Sequence, residues 1–127
     1  MSAPWRRVFP PLIHAVHEQQ LAEHGGLAGV RDAGALESAL ARPQNLAADG
    51  EPDAAALAAA YAFGLARNHA FVDGNKRTAW IAARLFLADN GCKLVLDKAD
   101  AVRTMMALAA GEISEEDFAA WLRERLV

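Results

Sequence analysis

The sequence predicts an all-α domain, a compact bundle of about six helices with at most a short extended piece near residues 92–96. Three observations carry this. About a quarter of the 127 residues are alanine, the best helix former. Strand formers are few. Helix start and stop signals recur along the whole chain. The length fits one domain, residues 1–127.

The first helix starts at Pro10 and Pro11, since proline suits a first turn. Leu12, Ile13, Val16 and Leu21 form its apolar stripe, and Gly25-Gly26 ends it. A glycine-punctuated loop runs to Asp32. Asp32 caps a short second helix through Leu36 and Leu40 that stops before Pro43. Asn45 to Asp53, with Gly50 and Pro52, reads as a polar loop. Pro52 and Asp53 open a third helix, with Leu57, Tyr61 and Leu65 one turn apart, reaching about Asn68. A fourth runs from about Asn75 to Asn90 and closes on Gly91. Cys92 to Leu96 is extended. Asp97 caps a fifth helix ended by Gly111, and Ser114 with Asp117 forms a capping box for a sixth ending near Leu126.

Composition narrows the function classes. Hydrophobic residues make up 54% and charged residues 23%, close to the globular norm, which excludes a disordered or collagen-like chain. With 13 basic against 16 acidic residues the net charge is −3. That argues against direct nucleic-acid binding by the chain alone, which needs a local excess of Lys and Arg. The one cysteine, Cys92, forms no internal disulfide and fits a reducing compartment. Met1 to Val8 has no apolar run of the signal-peptide kind. The longest apolar stretch, Ala54 to Ala66, is shorter than the ~20 residues of a membrane span. A cytoplasmic protein without membrane association is expected.

The chemistry concentrates in Asn68-His69-Ala70-Phe71-Val72-Asp73-Gly74-Asn75-Lys76-Arg77-Thr78, between two apolar helices. Gly74 lets the backbone turn tightly and approach a ligand. The N–H groups of the first turn of the fourth helix, Asn75 to Arg77, form an anion site with the helix dipole. Lys76 and Arg77 add full charge, and cations at a helix N-terminus oppose the dipole unless an anion is bound. Asp73 beside a phosphate would repel it unless Mg²⁺ lies between them. His69 is a candidate base for an attacking hydroxyl. Phe71 pins the loop to the core. The set suits phosphoryl or nucleotidyl transfer. Asn75 is either a cap or a loop-fixing and phosphate-contacting group, and Arg67 reaches either the phosphates or a surface salt bridge.

The run His69 to Arg77 resembles the signature of the Fic/Doc superfamily, His-x-Phe-x-Asp/Glu-Gly/Ala-Asn-Gly/Lys-Arg, and Lys76 looks like its Doc (death-on-curing) toxin branch. Gly25-Gly26, Gly29-Val30-Arg31-Asp32-x-Gly34-x-Leu36-Glu37-Ser38-Ala39, Arg42-Pro43, Asn90-Gly91 and Ala110 to Ser114 resemble Doc proteins too. The resemblance implies a compact helical fold and the toxin of a type II toxin–antitoxin pair. It also implies a protein kinase that uses ATP and Mg²⁺ on a threonine of elongation factor Tu, and so halts translation. By position, His69 would be the catalytic base, Asp73 the Mg²⁺ ligand, and Gly74, Asn75, Lys76 and Arg77 the phosphate loop. Fic adenylyltransferases usually have Gly where Lys76 stands, and often a second Arg where Trp80 stands; both departures favour phosphate over AMP transfer. Ala70 replaces the family proline. No Ser/Thr-x-x-x-Glu-Gly/Asn inhibitory helix is present, so a separate antitoxin, docked as a helix in a groove, would inhibit. Adenylyl transfer and a non-catalytic binding module are the alternatives.

In that family the region of Gly25 to Gly34 lies beside the site as a flap, so Arg31 and Asp32 either contact the target or antitoxin or form a turn and N-cap. His14, His17 and Glu18 share a helical face that offers metal-ligand chemistry, but with two His, one Glu and no fourth ligand in sight a solvated face is expected. His24 suits a last helical turn. Met105 and Met106 are expected as core filler, Trp80 and Trp121 in the core or a groove, Trp5 as a surface anchor, and Cys92 as a small buried residue.

Overall fold

The computed structural model describes residues 5–127; Met1 to Pro4, the start of the stretch read above as lacking a signal peptide, lie outside the described residues. Six helices follow in order: α1 Pro10–His24, α2 Ala33–Asp49, α3 Ala54–Arg67, α4 Asn75–Asp89, α5 Lys98–Ala110 and α6 Glu115–Arg125. The local signals explain their ends. Pro occupies the first turn of α1, and the Gly25 N–H closes it on the Leu21 carbonyl. Asp32, Asp53 and Asp97 accept from backbone N–H groups of Ala35, Ala56 and Asp100. Ser114 and Asp117 form the reciprocal capping box of α6.

α3 is the axis. Its residues Ala55, Leu57 to Ala62 and Gly64 to Ala66 are buried, and α2, α4, α5 and α6 pack around it. One core cluster runs from Ile13 of α1 to Leu122 of α6. α2 crosses α3 closely: a Cβ on Gly64 would stand 3.0 Å from both Cα and the carbonyl oxygen of Ala39.

That crossing explains a departure from expectation. α2 does not stop before Pro43 but continues through it to Asp49, so the polar stretch 45–49 is helix and only its last residues are loop. Proline removes the N–H that would meet the Ala39 carbonyl. This carbonyl faces Gly64, where a Cα–H rather than a side chain stands. Pro43 itself is buried, so packing offsets part of the lost hydrogen bond.

The extended piece is real but minimal. Leu94 bridges Leu126 antiparallel, with Val95 N–H on the Arg125 carbonyl (2.9 Å) and Val127 N–H on the Lys93 carbonyl (3.0 Å). No helix of the described residues is long and apolar enough to cross a membrane. Some expected core residues are not buried. Leu12 (45% exposed) and Met106 (55%) face outward, whereas Met105 is buried. Trp5, Trp80, Trp121 and Cys92 are half-buried; Trp5 packs on Phe86 and Trp80 on Trp121.

Candidate active site

The loop from Asn68 to Gly74 joins the C-terminal end of α3 to the N-terminal end of α4, and its geometry is fixed from within. The Asn75 side chain grips the backbone of Phe71 twice: Nδ2 donates to the Phe71 carbonyl (3.0 Å) and Oδ1 accepts the Phe71 N–H (3.1 Å). Of the uses open to Asn75, this is the loop-fixing one. Phe71 is buried and is the apolar pin expected. Asn68 Nδ2 donates to the Ala35 carbonyl (3.0 Å), which ties the loop's start to α2.

His69 stands at the mouth of the loop, exposed, with φ +51. No other described non-glycine residue has positive φ. A left-handed histidine is strained, and such strain persists only where the surroundings enforce it. Its neighbour Ala70 is buried, and the Ala70 carbonyl accepts from Arg31 N–H (2.7 Å) and Asp32 N–H (3.0 Å).

At the other end, Gly74 takes φ +78 and starts α4 with no side-chain cap. The helical ladder begins with Thr78 N–H on the Gly74 carbonyl. The N–H groups of Asn75, Lys76 and Arg77 precede it and are the donors a helix leaves open. Lys76 and Arg77 are exposed beside them, and the first turn holds no acidic residue. This end is electropositive by dipole and by side chain.

The Asp73 carboxylate borders it. Oδ1 accepts the Gly74 N–H (2.9 Å), and Oδ2 lies 3.4 Å from the Leu27 nitrogen. Gly26 lets the flap close here, because a Cβ on it would stand 2.8 Å from Asp73 Oδ2. Among the described residues no three His, Cys, Asp or Glu side chains come together to hold a metal. A single exposed carboxylate cannot cage an ion alone, but it suits Mg²⁺, which keeps waters and phosphate oxygens as most of its ligands. The residues present therefore fit a Mg²⁺ carried in with a nucleotide.

These groups share one cavity of about 610 Å³, lined by His69, Asp73, Gly74, Asn75, Lys76 and Arg77 on one side and by Ala66, Met106, Ala109 and Ala110 on the other. Arg67 does not line it. Its guanidinium lies over the Phe63 ring (5.3 Å) and near Gly111, in a second cavity of about 340 Å³. Helical spacing brings the two together: Phe63 and Arg67, four apart, share a face of α3.

Arg31 and Asp32 lie in a flap laid along the motif loop. Val30 bridges Phe71 antiparallel, and Val72 N–H donates to the Gly29 carbonyl (3.1 Å). Asp32 is also the N-cap of α2, so the turn and the flap are one structure.

Two residues escaped sequence reasoning. His17 is buried, not solvated: its ring stacks on Phe71 at 3.8 Å and 13°, and Nε2 lies 2.8 Å from the Asp73 carbonyl oxygen. His14 meets the same ring edge-on at 5.9 Å. The signal was the spacing Ile13, His17, Leu21, four apart each time, which extends the apolar stripe through the histidine. Met106 lines the cavity, and nothing in its Ala-rich surroundings distinguished it from Met105.

Comparison with known proteins agrees with the motif. A model of the Fic/DOC family matches residues 10–87, which include the whole loop. The chain is 37% identical over 119 residues to a protein of Escherichia phage P1 named protein kinase doc, covering 93% of this chain and 94% of that one. It is 53% identical over 75 residues to a protein of Mycolicibacterium smegmatis named toxin Doc, covering 58% of each.

Proposed function

The chain belongs to the Fic/DOC family, and from that premise we propose that it is a Doc-type toxin acting as a Mg²⁺- and ATP-dependent protein kinase. Its substrate is a threonine or serine hydroxyl of a translation factor, elongation factor Tu by resemblance. A cognate antitoxin neutralises it by docking a helix in a groove. The observation that carries the reading is the shared cavity: a strained histidine, a carboxylate and an uncapped helix N-terminus with two cations line one space.

The chemistry follows from these groups. His69 takes the proton of the target hydroxyl. The hydroxyl oxygen bonds to the γ-phosphorus as the bond to the β-phosphate oxygen breaks, and ADP leaves. The amides of the first turn of α4, with Lys76 and Arg77, hold and neutralise the phosphates. Gly74 and Asn75 keep that turn in position. Asp73 would hold Mg²⁺, which supplies further neutralisation of phosphate charge. Lys76, standing inside the nest, favours a seating of ATP that presents the γ-phosphate. For Arg67, phosphate contact would require its side chain to leave Phe63.

The test incubates the protein and Mg²⁺ with elongation factor Tu and ATP labelled at the α- or γ-phosphate, with His69→Ala as control. Transfer from the γ position alone, lost in the control, is the expected result. Transfer from the α position would make the protein an adenylyltransferase and overturn the kinase reading. Growth arrest that persists in His69→Ala without any transfer would favour a binding module.

A further inference from the structure

His17 belongs to α1, more than fifty residues from the motif in sequence, and none of the chemistry above uses it. Yet it is a buried imidazole whose two polar and apolar functions are both spent on the motif loop. Its ring lies flat on Phe71, centroids 3.8 Å apart. Its Nε2 lies 2.8 Å from the backbone carbonyl oxygen of Asp73. A carbonyl oxygen only accepts, so Nε2 carries the proton and donates.

The consequence concerns one peptide bond. The carbonyl of the Asp73–Gly74 peptide is held by His17, and its N–H is held by Asp73 Oδ1 at 2.9 Å. Carbonyl and N–H of one trans peptide point in opposite directions, so the two bonds together fix its plane. That plane sets where the Asp73 carboxylate stands and the left-handed turn at Gly74 from which α4 starts. The ring also packs under the turn: a Cβ on Gly74 would stand 3.5 Å from His17 Cδ2 and 3.6 Å from Nε2. Rotation of the ring away from the carbonyl is opposed by the stack on Phe71, whose own backbone is held by Asn75.

We propose that His17 is a positioning residue: its Nε2–H locks the Asp73–Gly74 peptide and so aims the Asp73 carboxylate and the opening turn of α4 at the cavity. The inference rests on the reading of those two features as the metal- and phosphate-binding side of the site. It differs from a packing role in one respect, since the donor and not the ring is what matters.

Two substitutions separate the roles. His17→Phe keeps a ring on Phe71 and removes the donor. His17→Gln loses the ring and keeps a side-chain N–H at similar reach. The first readout needs no activity: exchange of the Gly74 amide proton followed by NMR in the folded protein, with circular dichroism as a check on the fold. In His17→Phe the Gly74 amide is expected to exchange about tenfold faster than in wild type, and in His17→Gln to return towards the wild-type rate. The second readout is phosphate transfer, where kcat is expected to fall roughly 10- to 100-fold in His17→Phe, with KM for the protein target unchanged, and to recover in part in His17→Gln. Unchanged Gly74 exchange in a folded His17→Phe overturns the proposal. So does a His17→Gln as defective as His17→Phe, because a side-chain donor at similar reach would then restore nothing. If the wild-type protein transfers no phosphate, the kinase reading fails by itself, and Gly74 exchange still decides the role of His17.

Discussion

The side-chain amide of Asn75 is paired with the backbone of Phe71 at both its oxygen and its nitrogen, at 3.1 and 3.0 Å. The first residue of α4 thus closes a ring of contacts around the loop that precedes it. Removing one partner leaves part-buried backbone groups unmet, at a cost of about 1–3 kcal/mol. Asn75→Ala is expected to lose stability in that range in urea unfolding. Asn75→Asp, which keeps the acceptor for the Phe71 N–H and loses the donor, is expected to fall between wild type and Asn75→Ala.

His69 adopts a left-handed backbone that glycine adopts without penalty. His69→Gly and His69→Ala both lose the imidazole and are both expected to lose transfer activity. They should differ in stability, with His69→Gly the more stable by about 1 kcal/mol. Equal urea midpoints would show that the backbone at this position is relaxed in solution.

Lys76 stands in the first turn of α4, among the amides that face the cavity. On the proposed function, replacing it with glycine would let the triphosphate of ATP seat differently in the nest. Lys76→Gly is expected to lose γ-phosphate transfer and to gain label from the α-phosphate. A variant that remains a pure kinase would separate Lys76 from the choice of phosphate.

Asp53 caps α3 and is paired with Arg123 of α6 through Nε (2.6 Å) and Nη2 (3.0 Å). The hydrogen-bonded Arg123 guanidinium is the main reason its carboxyl titrates below the ordinary value, with burial opposing and the Ala56 N–H assisting. A depressed folded value means that the unfolded chain binds the proton more readily. The stabilisation is present above the unfolded value of about 3.9 and is lost as pH falls through the lower, folded value. The thermal midpoint is therefore expected to drop through this acid window, and Asp53→Asn to show a shallower slope there.

Gly64 abuts the Ala39 backbone so closely that a methyl group at 3.0 Å would force α2 away from α3. Gly64→Ala gains helix propensity but is expected to lose about 1–3 kcal/mol through overpacking, measured by calorimetric unfolding.

The sequence made the helix ends legible wherever a cap or a glycine marked them, as Asp32, Asp53, Asp97, Ser114, Gly25 and Gly111 did. It misled at Pro43, because a local rule about proline ignores what faces the freed carbonyl, and only the crossing with Gly64 reveals that. The motif loop was legible as a candidate site, since its polar residues crowd into one short stretch from Asn68 to Thr78 and most of them line one cavity. His17 was hidden for the opposite reason: its partners Phe71 and Asp73 are brought to it by tertiary packing alone. Arg67 ends α3 directly before the motif, but its side chain turns towards Phe63 and the second cavity instead of the first.

The alanine-rich axis inverts the usual pattern of fragility. A core of large side chains suffers most from truncation, but Ala55, Ala58, Ala59, Ala60, Ala62 and Ala66 have one methyl group each to give up. Their neighbours are close because those methyl groups are small. Substitutions that enlarge these positions are thus the dangerous ones, and harmful replacements along α3 should be read by what they add.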